Sequence, residues 1–460
     1  MAVREAPCHM GRPLSKPSPM THSQAQPMEF GASAPLRGTP VVPGDKSISH
    51  RALMFGAMAR GRSRIFGLLT GEDVLATAAA MRAMGATISE SGGIWDVDGV
   101  GTGCLLQPET ALDMGNSGTS TRLIMGLVAS HPITATFIGD ASLSKRPMKR
   151  VIDPLSRIGA DFTAAPGGRL PLTVRGLCPA VPVTHRLEVA SAQVKSACIL
   201  AGLNIPGVTR VIEPIPTRDH SERMLRRFGA ELEVEEEQAG GRIVTLRGEA
   251  DLRACDVTVP RDPSSAAFLI VAALLVPGSE ITIPGVLVNP LRTGLYTLLK
   301  AMGASLDFAN EREQDGEPVA DLVVRHSVLR GIDVPEELVP SMIDEFPIFF
   351  VAASFAEGRT RATGLEELRV KESDRIAVMA EGLRTIGARI EEQADGVVIK
   401  GSGGEPLPGG GLIATYLDHR IAMSFAVSGL HCRLPVVIDD MSPTQTSFPG
   451  FADLLKGMAQ

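Results

Sequence analysis

A Gly-rich turn entering a helix presents free backbone N–H groups and the positive end of the helix dipole, which suits a phosphate. Pro43-Gly44-Asp45-Lys46-Ser47-Ile48-Ser49-His50-Arg51 has that form, and Lys46, Ser47 and Arg51 add charge and donors on adjacent turns. In Gly115-Asn116-Ser117-Gly118-Thr119-Ser120-Thr121-Arg122 small residues let a ligand approach the backbone closely. Lys145-Arg146-Pro147-Met148 offers a basic pair, and Ser191-Ala192-Gln193-Val194-Lys195-Ser196 puts polar donors at the head of an apolar helix. In Thr217-Arg218-Asp219-His220-Ser221-Glu222, His220 reads equally as a helix-start hydrogen-bonder and as a catalyst. Asp344-Glu345 lies inside the apolar stretch 342–355, where carboxylates are costly unless paired or functional. In Leu368-Arg369-Val370-Lys371-Glu372-Ser373-Asp374-Arg375 the i, i+4 spacing of Lys371 and Arg375 predicts one shared helix face. Leu417-Asp418-His419-Arg420 sets a cation at the start of an apolar helix, which is unfavourable unless an anion binds there.

Seven cations, Lys46, Arg51, Arg146, Arg218, Lys371, Arg375 and Arg420, thus stand in Gly-rich or helix-start contexts in both halves of the chain. Their convergence would make a cationic cleft between two domains, with Asp344 and Glu372 embedded in it. Arg forks would hold the phosphates and carboxylates of small anionic substrates, and the acids would handle protons. Nine His and six Cys (Cys8, Cys104, Cys178, Cys198, Cys255, Cys432) are dispersed without metal-ligand spacing or a C-x-x-C pair. No metal, cofactor or disulfide framework is expected, and the thiols read as reduced.

The elements that must position these residues repeat along the chain. An apolar residue, then Gly, then Ala or Met recurs at Gly85, Gly159, Gly229, Gly303, Gly387 and, more loosely, Gly457, at intervals of 74, 70, 74, 84 and 70 residues. Each Gly follows a helical pattern, and the first five precede a short alternating stretch, as a left-handed helix stop followed by a strand would. Strand-like segments open several units, at 61–65, 207–211 and 358–362. Six α/β units of about 74 residues, grouped in threes, fit this period better than a solenoid of ~20–50-residue repeats. Residues 1–34, rich in Pro and without apolar periodicity, read as a disordered extension.

Composition sets the outer limits. The 460 residues are 44% hydrophobic, enough for a sizeable core and too much for a disordered or collagen-like chain. Lys plus Arg (45) against Asp plus Glu (52) gives a net charge of −7, and aromatics are only 4%, both against nucleic-acid binding. The longest apolar run, Ala266–Val276, ends at Pro277, well short of the ~20 residues of a membrane span. No secretory signal is evident, so a cytoplasmic protein without membrane partners is expected.

In this order, P-G-D-K-S-x-S-H-R, G-N-x-G-T, K-R-P-M, S-A-Q-x-K-S, R-D-H-x-E, S-M-I-D-E, L-R-V-K-E-S-D-R and L-D-H-R-I-A-M make residues 36–458 resemble the 5-enolpyruvylshikimate-3-phosphate synthase family. G-D-K-S, S-A-Q-V-K and R-D-H-S-E resemble its class II bacterial branch. The resemblance implies an α/β (α+β) enolpyruvyl transferase fold: two domains, each of three βαβαββ units around a pseudo-threefold axis. Residues 44–260 would form the first domain, and 35–43 with 261–460 the second, with crossings near Pro43 and Pro260. The implied reaction joins phosphoenolpyruvate to shikimate 3-phosphate and releases phosphate, by addition then elimination, in a monomer.

By motif position, Lys46, Ser47, Arg51, Ser191, Ala192, Gln193, Arg218, Asp344 and Lys371 would contact shikimate 3-phosphate. Lys46, Gly118, Arg146, Gln193, Arg375 and Arg420 would hold phosphoenolpyruvate. Glu372 would transfer the proton at C3, Asp344 would orient or deprotonate the hydroxyl, and Lys46 would shuttle a proton, with Asp73 and Asn116 as auxiliaries. The substrates bring about six negative charges, which the seven cations match. Gly118, where some tolerant class II members carry Ala, implies room for glyphosate.

Several positions depart from the pattern. Arg261 stands where Gly is usual, Leu291 replaces Thr in N-x-T-R, and Thr446 stands where many members carry Lys. The chain ends soon after Gly457, so the last strand of the sixth unit is expected to be absent. Lys46-Ser47 and R-D-H-S-E argue against the sibling transferase that acts on UDP-N-acetylglucosamine, and intact Lys46, Asp344 and Glu372 argue against a non-catalytic binding protein.

Overall fold

The computed structural model describes residues 25–238 and 240–459. Helix and strand pairs succeed one another in six related units. The first comprises α1 (Lys46–Met58), strand Arg60–Phe66, α2 (Glu72–Ala83) and the hairpin Thr87–Ser91/Ile94–Val100. Its sheet is completed by Val257–Thr258, which pairs parallel to Arg60–Phe66. The second unit is a βαβαββ module in chain order, with α3 (Gly118–Ala129) and α4 (Lys149–Arg157), and the third repeats it with α5 (Ala192–Gly202) and α6 (His220–Arg227). The fourth, with α7 (Pro263–Leu275) and α8 (Gly294–Ala301), takes its first strand, Arg37–Gly38, from ahead of α1. The fifth holds α9 (Val339–Met342), α10 (Phe346–Phe355) and α11 (Arg375–Thr385), and the sixth α12 (His419–Gly429) and α13 (Phe451–Gly457).

Two separate hydrophobic cores result. One is built from 48–259 with Leu287, the other from 30–42 and 266–458. Every residue of α7 and α10 is buried, so these two helices form the centre of the second core. Each fully buried Leu, Ile or Phe contributes about 1.5–3 kcal/mol. The chain leaves one core and returns side by side: Asp45 N–H donates to Pro260 O (2.8 Å) and Asp262 N–H to Pro43 O (2.9 Å). Arg261 does not disturb this crossing, because its backbone bridges Gly44 and Val286. Gly85, Gly159, Gly229, Gly303 and Gly387 all have φ between 88° and 105° and end α2, α4, α6, α8 and α11. Gly457 is instead the last residue of α13 and lies outside the left-handed region.

Three sequence expectations need correction. The expected disorder of 1–34 does not hold at Met28–Phe30, a strand antiparallel to Val436–Ile438 with Phe30 buried in the second core; residues 1–24 lie outside the described residues. Among the described residues the last strand of the sixth unit is absent after α13, as expected, and Met28–Phe30 takes its place, so the N-terminal segment completes the sheet. Lys371 and Arg375 do not share a helix: Lys371 follows the 3₁₀ turn Glu366–Val370, and Asp374 caps α11, which begins at Arg375. Finally, Glu336–Phe355 is a 20-residue helical stretch long and apolar enough to span a bilayer, although no single apolar run showed it. It is 72% buried inside the protein, as a core segment is.

Candidate active site

Lys46 opens α1 behind its N-cap Asp45, whose side chain accepts from Ile48 N–H at 2.8 Å. The Lys46 ammonium is ion-paired to Asp73, in the first turn of α2. Ser47 accepts from Arg51 through its carbonyl (3.0 Å), and Arg51 also donates to Ser221 and Ser196, both at 2.8 Å. Burial lowers Arg51 to about 10, against the pull of Glu222 and Asp45, so it stays charged at neutral pH. Ser191 caps α5 and Ala192 begins it, with Gln193 next. The N-termini of α1 and α5 thus carry motif residues.

Ser117 caps α3, and Gly118 is its first residue. A Cβ at Gly118 would stand 3.1 Å from Arg146 Nη1 and 3.4 Å from Arg122 Nη1. Arg146 donates to Asn116 Oδ1 (2.6 Å) and Ser142 Oγ (3.2 Å), while Asn116 donates to Asp140 (2.6 Å). Arg122, the last residue of the same Gly-rich motif, joins this group. It is buried, lowered to about 9 chiefly by that burial and then by Arg150 and Arg146, and donates to Gln193 Oε1 at 2.6 Å. Because a guanidinium only donates, this contact fixes the Gln193 amide, whose nitrogen donates to Thr119 (3.0 Å).

The second domain brings the acids. Asp344 lies in a 3₁₀ turn just ahead of α10 and pairs with Arg218 of the first domain at 2.5 Å, Lys371 at 3.5 Å and Arg375 at 3.6 Å. Glu372 pairs with Arg375 at 2.7 Å and, across the domain seam, with Arg146 at 3.4 Å. Burial would raise both carboxyls. Lys371, Arg218, Arg420 and Arg375 outweigh it at Asp344, and Arg375 and Arg146 at Glu372, so both sit well below the ordinary carboxylate range. Arg375 is held by Asp418, which also caps α12 by accepting from Arg420 N–H at 3.0 Å. The cation at that helix start therefore follows an anionic cap. His419 is buried and pushed well below its usual range, first by burial and then by Lys46 and Arg420. Arg150 and Glu367, absent from the sequence reading, close the rim across the seam at 2.9 Å. Nothing in their local sequence signals this, since they lie 217 residues apart.

The family model for EPSP synthase (3-phosphoshikimate 1-carboxyvinyltransferase) matches residues 31–455. A 3-phosphoshikimate 1-carboxyvinyltransferase of Sphingopyxis alaskensis is 64% identical over 446 residues, covering 96% of this chain and 100% of the relative. One from Novosphingobium aromaticivorans is 64% identical over 435 residues, covering 94% and 99%. Among solved structures, EPSP synthase from Acinetobacter baumannii superposes with a TM-score of 0.83 at 44% identity, covering 95% of this chain and 98% of that one. The enolpyruvyl transferase NikO from Streptomyces tendae, at 18% identity and a TM-score of 0.73 over 94% of this chain and 98% of its own, shares the fold. With its six units, two domains and motif order, the chain belongs to the EPSP synthase family.

Proposed function

We propose that this protein transfers the enolpyruvyl group of phosphoenolpyruvate to the 5-hydroxyl of shikimate 3-phosphate and releases phosphate, a step toward chorismate and the aromatic amino acids. One observation carries the reading: two ionised acids, Asp344 and Glu372, lie among Arg218, Lys371, Arg375 and Arg146 at the seam of two domains. Residues 44–260 make one domain, and 261–459, with the segment ahead of Gly44, the other. Shikimate 3-phosphate occupies the side lined by Ser47, Arg51, Ser191, Ala192, Gln193, Arg218 and Lys371. Phosphoenolpyruvate occupies the side lined by Lys46, Gly118, Arg146, Arg375 and Arg420. The protein works as a cytoplasmic monomer, without nucleic-acid or membrane partners, in keeping with its net charge of −7.

The hydroxyl oxygen attacks C2 as its proton passes to Asp344, and C3 takes a proton from Glu372. The C2–O bond to phosphate then breaks. C3 returns a proton to Glu372 to restore the double bond, and the hydroxyl proton leaves Asp344 with the phosphate. Ligand-free Glu372 is a carboxylate because Arg375 and Arg146 hold it so. Substrate anions that take over those arginines raise its affinity for a proton, so the acid form arises with the substrate in place. Lys46, beside Asp73, neutralises charge between the two substrates. Phosphate release from phosphoenolpyruvate is expected with shikimate 3-phosphate and not with UDP-N-acetylglucosamine. The reverse pattern would assign the sibling reaction, and no release with either would leave a binding protein.

A further inference from the structure

Five segments far apart in the sequence meet in one buried network at the place where the chain crosses between domains. Arg292, 3% exposed, sits at its centre. Its Nη1 donates to Asp45 Oδ2 at 2.9 Å and lies 3.2 Å from His220 Nε2; its Nη2 donates to Ser264 Oγ at 3.1 Å and faces Asp262 at 3.5 Å. His220 Nδ1 is 2.7 Å from Glu317. The ring therefore donates there and offers Nε2 to the guanidinium. Asn289 donates to Asp219 (2.7 Å) and Glu317 (3.0 Å). Asp219, His220 and Glu317 also place ligand-type atoms within 4.8 Å of one another, but Arg223, Asn289 and Arg292 already partner them.

The two acids that Arg292 joins have matching duties. Asp45 caps α1, and Asp262 caps α7 by accepting from Ser264 N–H at 2.7 Å. Asp262 Oδ2 also accepts from Lys46 N–H at 3.1 Å, so the backbone of Lys46 is held from the opposite domain. One planar fork thus spans both crossing strands, and two buried carboxylates depend on it for their counter-charge.

We propose that Arg292 is a positioning residue: by joining Asp45 to Asp262 it sets the start of α1, and with it Lys46, relative to the second domain. The inference rests on the proposed reaction, in which Lys46 meets both substrates. A lysine supplies the charge, but its three donors radiate from one nitrogen and do not span Asp45, His220 and Ser264, which Arg292 reaches from two separate nitrogens.

The test uses purified full-length protein, with kcat expressed per folded site and measured well below the melting temperature. Arg292→Lys is expected to lower kcat by about 10–100-fold, the cost of a small misplacement of a reacting group. In a Lys46→Arg background the same substitution is expected to cost less than about 2-fold, because effects that act through one group do not multiply. Asp45→Asn, which keeps a capping oxygen but removes the partner charge, serves if Arg292→Lys does not fold, with the same two expectations. A lowered melting temperature with kcat unchanged, or losses that multiply in full, would overturn the proposal. Wild-type turnover with shikimate 3-phosphate is read separately, so failure of the proposed function is distinguishable.

Discussion

Two buried ion clusters in this molecule have opposite characters. Inside the first domain, Lys195 pairs with Glu213 (2.9 Å) and Glu222 (2.7 Å), all three at most 2% exposed. There one ion-paired cation serves two acids, and burial keeps Glu213 above its ordinary range despite Lys195 and Thr217. At the domain seam the balance inverts. Asp344 and Glu372, 18% and 19% exposed, face Arg218, Lys371, Arg375 and Arg146, and both carboxyls sit far below their ordinary range. The first cluster is closed on itself and holds α5 against α6. The second leaves positive charge over, which suits two anionic substrates. At the seam the cations outweigh burial, and around Glu213 they do not.

Substitutions can break the contrast, beginning with the largest effect. Glu372→Gln is expected to lower kcat by about 10²–10⁴-fold, the usual worth of a positioned acid–base group. Both substrates should still bind by calorimetry, and the melting temperature should change little. Near wild-type turnover would remove Glu372 from the chemistry. Lys195→Met should do the converse. It leaves two buried acids without a counter-charge and is expected to cost about 3–5 kcal/mol of stability by urea unfolding, with kcat per folded site retained.

The pH dependence of stability separates the clusters more finely. A carboxyl lowered by folding contributes stability that is complete above its unfolded pKa, about 4, and lost as pH falls through the folded value. Asp344 and Glu372 belong to this kind, so Asp344→Asn should flatten the fall in melting temperature below about pH 4. Glu213, raised by folding, works in the opposite direction: its contribution is present below about pH 4.3 and lost as pH rises through its folded value. An acid limb as steep in Asp344→Asn as in the wild type would contradict the assignment. The smallest effect is expected at Gly118. Its Ala variant places a methyl 3.1 Å from Arg146 Nη1, so KM for phosphoenolpyruvate should rise several-fold and glyphosate inhibition should weaken further. A wild-type enzyme strongly resistant to glyphosate would contradict the room assigned there.

What was legible in the sequence was local. Gly85, Gly159, Gly229, Gly303 and Gly387 mark helix ends because only glycine tolerates that backbone at no cost, and their spacing exposes the units. The motif cations were legible because each sits beside its own Gly or helix start. Arg122, Arg292 and the Arg150–Glu367 pair were not, because their meaning lies in partners 71, 247 and 217 residues away. Met28–Phe30 is illegible for a related reason: three residues are too few for an alternating pattern, and their partner strand lies at the far end of the chain. Lys371 and Arg375 have the spacing of helix neighbours, but Asp374, a capping residue, starts the helix one residue before Arg375.

Solvent exchange at C3 tests most directly whether Glu372 adds a proton there and takes one back. Wild-type protein turning over phosphoenolpyruvate and shikimate 3-phosphate in deuterium oxide should place deuterium at C3 of the enolpyruvyl product, read by NMR, and Glu372→Gln should place almost none in an equal time. Normal turnover with no deuterium at C3, or undiminished incorporation by the variant, would contradict addition–elimination through Glu372.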